Sequence, residues 1–214
     1  MRVVVTRPAE QSEPLASRLR ELGHEVVLCP LVRIEPLGDE PVELEGYDWV
    51  VVTSMNGAAE LLRRRRGPLP RVAAIGPGTA AALREGGVEP DLVPAVSMQE
   101  GLVAELPRPA GRVLLAAAEG ARRLVVNELG ADFQPLYRTV QLRPERPPEG
   151  DLVVLASPSA AHALAELGAQ IPAVSIGPQT TEAARRRRIH VVAEAETHDL
   201  DGLVAAVARA AAGG

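Results

Sequence analysis

The fold is decided by a stretch that the sequence contains twice. The first copy is DWVVVTSMNGA (residues 48–58), and the second is DLVVLASPSAA (residues 151–161). In each copy an aspartate precedes four apolar residues, and a loop containing serine follows them. A short valine-rich run is typical of a buried strand, and a hydroxyl residue after it is typical of the start of a helix. The repeated stretch therefore predicts a strand–loop–helix unit in each half of the chain.

A second pair of matching segments follows the first pair in both halves. VAAIGPGT (residues 72–79) matches AVSIGPQT (residues 173–180), in the same order and at almost the same spacing. A weaker match pairs Glu21-Leu22-Gly23 with Glu128-Leu129-Gly130. Ordered internal matches indicate a duplicated architecture. We therefore expect two related halves.

Composition agrees with an α/β fold built on parallel strands. Hydrophobic residues make up 46% of the 214 residues and aromatic residues only 2%, so the core must consist of Val, Leu, Ile and Ala. Such residues suit parallel strands that helices cover on both faces. A chain of this length forms one large domain or two small ones. We predict an α/β protein with two similar parallel-sheet domains.

Charge and cysteine content argue against several classes of partner. The net charge of −5 and the scarcity of aromatic residues disfavour nucleic acid as a partner. We expect the two arginine runs, residues 63–66 and 185–188, to lie in solvated helix ends, where positive charge complements the helix dipole. No signal peptide and no apolar run of membrane-spanning length is visible, so no membrane partner is expected. Cys29 is alone, which excludes an internal disulfide and suits a cytoplasmic setting.

The absence of lysine removes several kinds of chemistry. A Walker A loop, a Schiff base and pyridoxal phosphate catalysis all require a lysine, and the sequence has none. The four histidines (His24, His162, His190 and His198) lack the paired spacing of a metal site and are predicted to be surface or loop residues. The Gly76-Pro77-Gly78 segment does not match the dinucleotide pattern, so NAD is not expected.

Four loops stand where predicted strands end and helices begin. They are residues 53–57, 76–79, 157–160 and 177–180. In open α/β sheets ligands bind at the carboxyl ends of the strands, and free N–H groups at a helix start favour an anion. Helix capping without any ligand is an equal alternative for the hydroxyl residues in these loops: Ser54, Thr79, Ser157 and Thr180.

Several segments together resemble the uroporphyrinogen-III synthase family. They are VVVTRP (3–8), YDW (47–49) leading into TSMNG (53–57), IGPGT (75–79), LYRT (136–139), SPS (157–159) and IGPQT (176–180). The resemblance runs over nearly the whole chain, and its specificity lies in the order and spacing of the segments.

The resemblance implies a particular domain architecture. Two α/β domains would be joined by a two-stranded β-ladder, with the active site in the cleft between them. The first domain would comprise residues 1–33 and 143–214, and the second would comprise residues 42–136. Residues 34–41 and 137–142 would form the connecting ladder.

The resemblance also implies the reaction. Members close the linear tetrapyrrole hydroxymethylbilane to uroporphyrinogen III with inversion of ring D and loss of water, through an azafulvene and a spiro intermediate. No cofactor and no metal would be needed. We expect a monomer whose substrate comes from hydroxymethylbilane synthase upstream.

Site residues follow from the same resemblance. Tyr137 matches the family tyrosine and would assist departure of the hydroxyl, although packing in the ladder is an equal alternative. Substrate carboxylates would be bound by residues of the matching loops: Thr6, Arg7, Ser54, Asn56, Gly76, Thr79, Ser157, Ser159, Gly177 and Thr180. Arg7 could equally form an exposed ion pair.

One alternative function uses the same loops. A hinged two-lobed protein that binds a small anion, without catalysis, would need the loops but not Tyr137. Such a sensor would normally be joined to an output domain.

Overall fold

The structure, a computed structural model, describes residues 1–212 and divides into two compact units. Unit 1 comprises Met1–Arg33 and the chain from Thr139 onward, and unit 2 comprises Ile34–Arg138. The strands are β1 (Arg2–Val5), β2 (Glu25–Leu28), β3 (Val32–Pro36), β4 (Val42–Glu43), β5 (Trp49–Val52), β6 (Arg65–Arg66), β7 (Arg71–Ala74), β8 (Val113–Ala118), β9 (Asp132–Gln141), β10 (Leu152–Leu155), β11 (Ala173–Ser175) and β12 (Val191–Glu194). The helices are α1 (Ala9–Glu21), α2 (Met55–Arg64), α3 (Pro77–Glu85), α4 (Gln99–Glu105), α5 (Leu124–Leu129), α6 (Pro158–Glu166), α7 (Pro178–Arg186) and α8 (Leu200–Ala212).

Unit 1 is built on a five-stranded parallel sheet in the order β12-β11-β10-β1-β2. Successive residues of a strand point to opposite faces, so both faces of this apolar sheet need cover. Val4 packs with residues of α6 and α7 on one face, such as Leu164 and Ala184. Val3 and Val5 pack with residues of α1 and α8 on the other face, such as Leu15 and Leu203. The buried sheet between helices is the predicted architecture.

Unit 2 repeats this arrangement in the order β3-β9-β8-β5-β7. Strands β9, β8, β5 and β7 pair in parallel. Val50 and Val52 pack against residues of α2 and α3, including Leu61 and Leu83. Val51 packs on the opposite face against residues of α4 and α5 such as Leu102. The predicted α/β class with two parallel-sheet domains is confirmed.

The chain passes from unit 1 to unit 2 within β3 and returns within β9. The two strands are neighbours. The Leu37 N–H donates to the Leu136 carbonyl at 2.9 Å, and the Leu142 N–H donates to the Leu31 carbonyl at 2.8 Å. Residue numbers rise along one strand as they fall along the other, so this pairing is antiparallel.

Each sheet has one point at which the chain reverses its direction of winding. In unit 1, β1 leads through α1 to β2, whereas the neighbouring β10 leads through α6 to β11 on the other side. In unit 2, β5 leads through α2 to β7, whereas β8 leads through α5 to β9. Helices diverge at such a switch point and leave a crevice at the carboxyl ends of the two central strands. The crevice in unit 1 therefore lies after β1 and β10, and that in unit 2 after β5 and β8.

The arginine run at residues 63–66 corrects one prediction. Arg63 and Arg64 end α2, but Arg65 and Arg66 form β6. Arg64 is only 6% exposed, and its Nε donates to the Glu40 carbonyl at 2.8 Å. Its Nη1 donates to the Leu37 carbonyl at 3.1 Å. The prediction of a solvated side chain is wrong for Arg64 because these carbonyls replace water around the guanidinium.

Within residues 1–212, no helix combines the length and the apolar character needed to cross a bilayer.

Candidate functional site

Tyr137 forms a hydrogen-bonded cluster with the loop after β5. Its phenol oxygen lies 2.8 Å from the Oγ of Ser54, and it also hydrogen-bonds with the side chain of Asn56. Tyr137 stands on β9 and pairs with Ala118, the last residue of β8. Because β8 lies between β5 and β9, the phenol reaches over the end of β8 to the switch point of unit 2. The sequence prediction singled out all three residues, and the structure brings them together.

Burial controls the acidity of this phenol. Tyr137 is 5% exposed, and burial raises its pKa because the phenolate would lose hydration. The hydrogen bonds from Ser54 and Asn56 oppose this rise in pKa because they stabilise the phenolate. The phenol is therefore protonated at neutral pH and available as a hydrogen-bond donor.

Serine caps begin the matching helices of both units. The Gly57 N–H donates to the Ser54 Oγ at 2.9 Å, and the Ala160 N–H donates to the Ser157 Oγ at 3.2 Å. Ser54 and Ser157 are therefore N-caps, and Ser54 also bonds Tyr137. Ser159, in the first turn of α6, is half-buried.

The two Gly-Pro loops cap their helices differently from the prediction. Gly76 and Gly177 are the N-cap residues of α3 and α7, and neither helix has a side-chain cap. Thr79 and Thr180 are the third residues of these helices and are 5% and 2% exposed. The capping alternative is wrong for both threonines, because a glycine already occupies the cap.

Thr6 and Arg7 follow β1 at the switch point of unit 1. Thr6 is fully buried, and its Oγ1 donates to the Val154 carbonyl at 2.7 Å, which ties β1 to β10. Arg7 is 7% exposed, so the alternative of an exposed ion pair is wrong. Desolvation lowers the pKa of Arg7. A guanidinium nevertheless stays charged at neutral pH, so Arg7 is a buried cation.

The structure places beside the Gly-Pro loops two residues that the sequence prediction did not assign to the site, Ser97 and His198. A Cβ built on Gly76 would lie 2.6 Å from the Ser97 Oγ, and one built on Gly177 would lie 2.8 Å from the His198 ring. The two pairs occupy equivalent places in the two halves. The repeated GLVA segment after them, residues 101–104 and 202–205, is the signal that could have revealed the pairs.

A buried hydroxyl pair lies beside the second Gly-Pro loop. The Oγ of Ser175 lies 2.5 Å from the Oγ1 of Thr181, and Thr181 donates in turn to the carboxylate of Glu194. These residues come from β11, α7 and β12, so no local pattern in the sequence pointed to them. The chain of hydrogen bonds fixes α7 against the sheet.

Comparison with known proteins gives the family. The family model described as uroporphyrinogen-III synthase HemD matches residues 13–205. A uroporphyrinogen-III synthase of Synechococcus elongatus is 26% identical over 247 aligned positions, which cover 96% of this chain and 93% of that protein. A provisionally named uroporphyrinogen-III synthase of Methanocaldococcus jannaschii is 29% identical over 151 residues, 66% of this chain. That second match spans 63% of the relative's own length.

A solved structure has the same fold. It is a mutant uroporphyrinogen III synthase from the extremely thermophilic bacterium Thermus thermophilus, with a TM-score of 0.66 and 18% identity over 100% of both chains. The family model covers well over half of the sequence, and the resemblance carried by the ordered loops is confirmed. This chain belongs to the uroporphyrinogen-III synthase family.

Proposed function

We propose that this protein is a uroporphyrinogen-III synthase. It would close hydroxymethylbilane to uroporphyrinogen III with inversion of ring D and release of one water. The observation that carries the proposal is the match of the family model to residues 13–205. The hydrogen-bonded phenol at a switch point supports it, because such crevices hold ligands in open α/β sheets.

The first chemical step is departure of the terminal hydroxyl group. Hydroxide is a poor leaving group, so a proton must reach the oxygen as the carbon–oxygen bond breaks. The electron pair of that bond leaves with the oxygen, and the pyrrole nitrogen stabilises the resulting cationic carbon as an azafulvene. Ring D then attacks through its substituted carbon, and the spiro intermediate fragments and recloses. The proton lost from ring D at closure balances the proton supplied to the hydroxyl.

Tyr137 is the proposed donor of that first proton. Two neighbouring side chains, Ser54 and Asn56, hydrogen-bond to its oxygen in the sense that stabilises a developing phenolate. The half-buried Ser54 is itself fixed by the Gly57 N–H. Because the pKa of Tyr137 is raised by burial, proton transfer is uphill at neutral pH and its contribution is modest.

The loops after the strands are the proposed binding sites for substrate carboxylates. Free N–H groups at helix starts favour anions, and two of the loops start α3 and α7 without a side-chain cap. Holding several carboxylates restricts the conformations of a flexible tetrapyrrole before it closes. The proposed contact residues are those of the matching loops: Thr6, Arg7, Ser54, Asn56, Gly76, Thr79, Ser157, Ser159, Gly177 and Thr180.

Isomer analysis of the product tests the function. Hydroxymethylbilane is generated in the same vessel by hydroxymethylbilane synthase, the proposed upstream enzyme, and the products are oxidised to porphyrins and separated. Type III uroporphyrin should appear only when this protein is present, while the reaction without it gives type I by spontaneous closure. Type I product alone in both vessels would contradict the proposal. It would favour the alternative of a binding protein without catalysis, a function that the names of the relatives do not support.

A further inference from the structure

The side-chain amide of Gln99 joins α4 to the start of α5. Gln99 is the first residue of α4 and only 4% exposed, and its Nε2 donates to the Arg122 carbonyl at 2.9 Å. Its Oε1 accepts the N–H groups of Leu124 and Val125 at 3.1 and 3.4 Å. These are the first two residues of α5, whose own N-cap residue provides no side-chain hydrogen bond. The buried amide therefore caps α5 from another segment of the chain.

The segment that this amide holds is the β8–α5 loop, residues 119–123, which follows the central strand β8 at the switch point of unit 2. The first residue of the loop, Glu119, donates its N–H to the Tyr137 carbonyl at 2.8 Å. The side chain of Arg122 forms an ion pair with Glu100 of α4, and this pair is largely exposed. An exposed pair contributes little, whereas buried partners of an amide are costly to leave unpaired. The amide is therefore the stronger attachment of the loop to α4.

A β-bulge sets the direction of the Tyr137 side chain. Ala118 pairs with Tyr137, whereas the preceding residue of β8 pairs with Pro135, so one residue of β9 lies between them without a partner on β8. A shift of one residue turns a side chain to the other face of a sheet, and bulges redirect side chains in this way. The Glu119 N–H bonds the Tyr137 carbonyl directly after the bulge. Movement of the β8–α5 loop therefore reaches the backbone that carries the phenol.

The duplication provides an internal comparison. The repeated GLVA segment aligns Gln99 of unit 2 with Leu200 of unit 1. The repeated Glu-Leu-Gly segment aligns Tyr137 of unit 2 with Pro30 of unit 1. A leucine can be buried without partners, whereas a buried amide requires them. The polar residue thus occurs in the half of the chain that also carries the phenol.

We propose that Gln99 is a positioning residue for Tyr137, which fixes the β8–α5 loop and so holds the phenol in place against the Ser54 hydroxyl. The inference rests on the proposed function for the role of the phenol as proton donor. Gln99 lies outside the proposed substrate-binding loops. Proton donation depends on orientation as well as on acidity, so displacement of the phenol lowers the rate without weakening substrate binding.

A double-mutant cycle tests this coupling. Gln99→Met keeps the length of the side chain but makes none of the three hydrogen bonds, and it is combined with Tyr137→Phe. Initial rates of type III formation are measured over a range of hydroxymethylbilane concentrations, at a temperature where urea unfolding shows each variant to be folded. Glu105→Met is the matched control, because it removes a bond from α4 to the Ala95 N–H, at 2.9 Å, that does not involve the β8–α5 loop.

Gln99→Met should lower kcat about three- to tenfold and leave KM within about twofold, because the phenol moves while the binding loops stay. In the Tyr137→Phe background the same change should cause no further loss, since no phenol is left to position. Gln99→Glu keeps the acceptor for the two N–H groups and should lower kcat by less than Gln99→Met. Glu105→Met should retain kcat within about twofold.

A second readout needs no turnover. In a Tyr47→Phe background Tyr137 is the only tyrosine, so tyrosine labelled with ¹³C at the ring carbon that bears the hydroxyl gives a single resonance. Gln99→Met should shift this resonance in the same direction as Ser54→Ala, which removes the contact directly. Glu105→Met should leave the resonance in place.

An unchanged kcat, a loss confined to KM, equal losses of kcat in the two backgrounds or an unshifted resonance would each overturn the positioning role. If Gln99→Met does not fold, Gln99→Glu decides by the same cycle. The two proposals fail separately. A protein that yields only type I product, but whose resonance responds to Gln99→Met, rejects the synthase alone. Type III product with additive losses in the cycle rejects the positioning role alone.

Discussion

The phenol oxygen of Tyr137 lies 2.8 Å from the Oγ of Ser54, although 83 positions of sequence separate the two residues. This contact joins β9, the strand within which the chain returns to unit 1, to the start of α2. It is the place where the proposed acid meets the proposed binding loop.

Replacing Tyr137 with phenylalanine should lower the rate of type III formation by about tenfold. The variant keeps the buried ring but loses the proton donor, and so weak an acid contributes less than the roughly hundredfold that marks the low end of general acid catalysis. The matched control is Tyr47→Phe, which removes the other tyrosine hydroxyl, 2.8 Å from Asp132. Initial rates of both variants are measured by isomer analysis. Undiminished turnover in Tyr137→Phe would remove the phenol from the mechanism and leave the function standing.

A comparison of Ser54→Ala with Ser157→Ala should separate the contribution of an N-cap to stability from the effect of Ser54 on the pKa of Tyr137. Both variants lose an N-cap, and each should lower the free energy of unfolding by about 1 kcal/mol. Only Ser54→Ala removes a hydrogen bond that lowers the pKa of Tyr137, so that pKa should rise further. Ultraviolet titration of tyrosinate in a Tyr47→Phe background measures it. Equal titration curves for the two serine variants would show that Ser54 does not influence the phenol.

Alanine at Gly76 or Gly177 should destabilise the protein by about 1–3 kcal/mol through overpacking. The new Cβ would lie 2.6 Å from the Ser97 Oγ in one unit and 2.8 Å from the His198 ring in the other, so each neighbour must move. Gly120→Ala is the control, because its Cβ meets nothing within 4 Å, and it should change stability by less than about 0.5 kcal/mol. Urea unfolding measures all three. Gly76→Ala and Gly177→Ala variants as stable as Gly120→Ala would contradict the close packing.

The Glu100–Arg122 ion pair should add a small, pH-dependent increment to stability. Hydrogen bonds from Arg122 lower the pKa of Glu100 to about 2. A lowered pKa stabilises the fold above the ordinary pKa of about 4.3, and that increment is lost as the pH falls through about 2. Since the pair is largely exposed, Glu100→Gln should cost less than about 1 kcal/mol at pH 7 and much less near pH 2. Urea unfolding at both pH values checks this, and an equal difference at the two values would contradict it.

The sequence predicted the parts of the fold that local patterns determine. Short valine-rich runs and the serine after each of them specify a strand and a helix start, so β5 and β10 and the caps Ser54 and Ser157 were found from the repeat. Capping was one of two equal alternatives for the threonines of the Gly-Pro loops, and the structure excludes it. A glycine N-cap leaves no signal of its own, and a threonine three residues later looks like a cap in sequence.

Burial of polar groups could not be predicted because it depends on distant segments. Arg64 follows the pattern of a solvated helix end, but carbonyls of Leu37 and Glu40 enclose its guanidinium. Arg7 stands at a strand end that the sequence identified correctly, yet only the packing shows that its Nε is left without an acceptor. His198 and Ser97 were not assigned to the site. Each packs against a glycine, and a sequence pattern does not indicate which residue packs against a glycine.

The passage of the chain through β3 and back through β9 has a consequence for how the protein is made. Unit 2 is a continuous segment, Ile34–Arg138, so all of its strands have left the ribosome before unit 1 is complete. Strand β1 is synthesised before unit 2, but its partner β10 begins only at Leu152, after unit 2. Until then the buried valines of β1 present an unpaired edge, the kind of surface on which nascent chains aggregate. The order of assembly is therefore set by the connectivity: the continuous unit 2 can close first, and unit 1, whose two segments lie on either side of it, closes last.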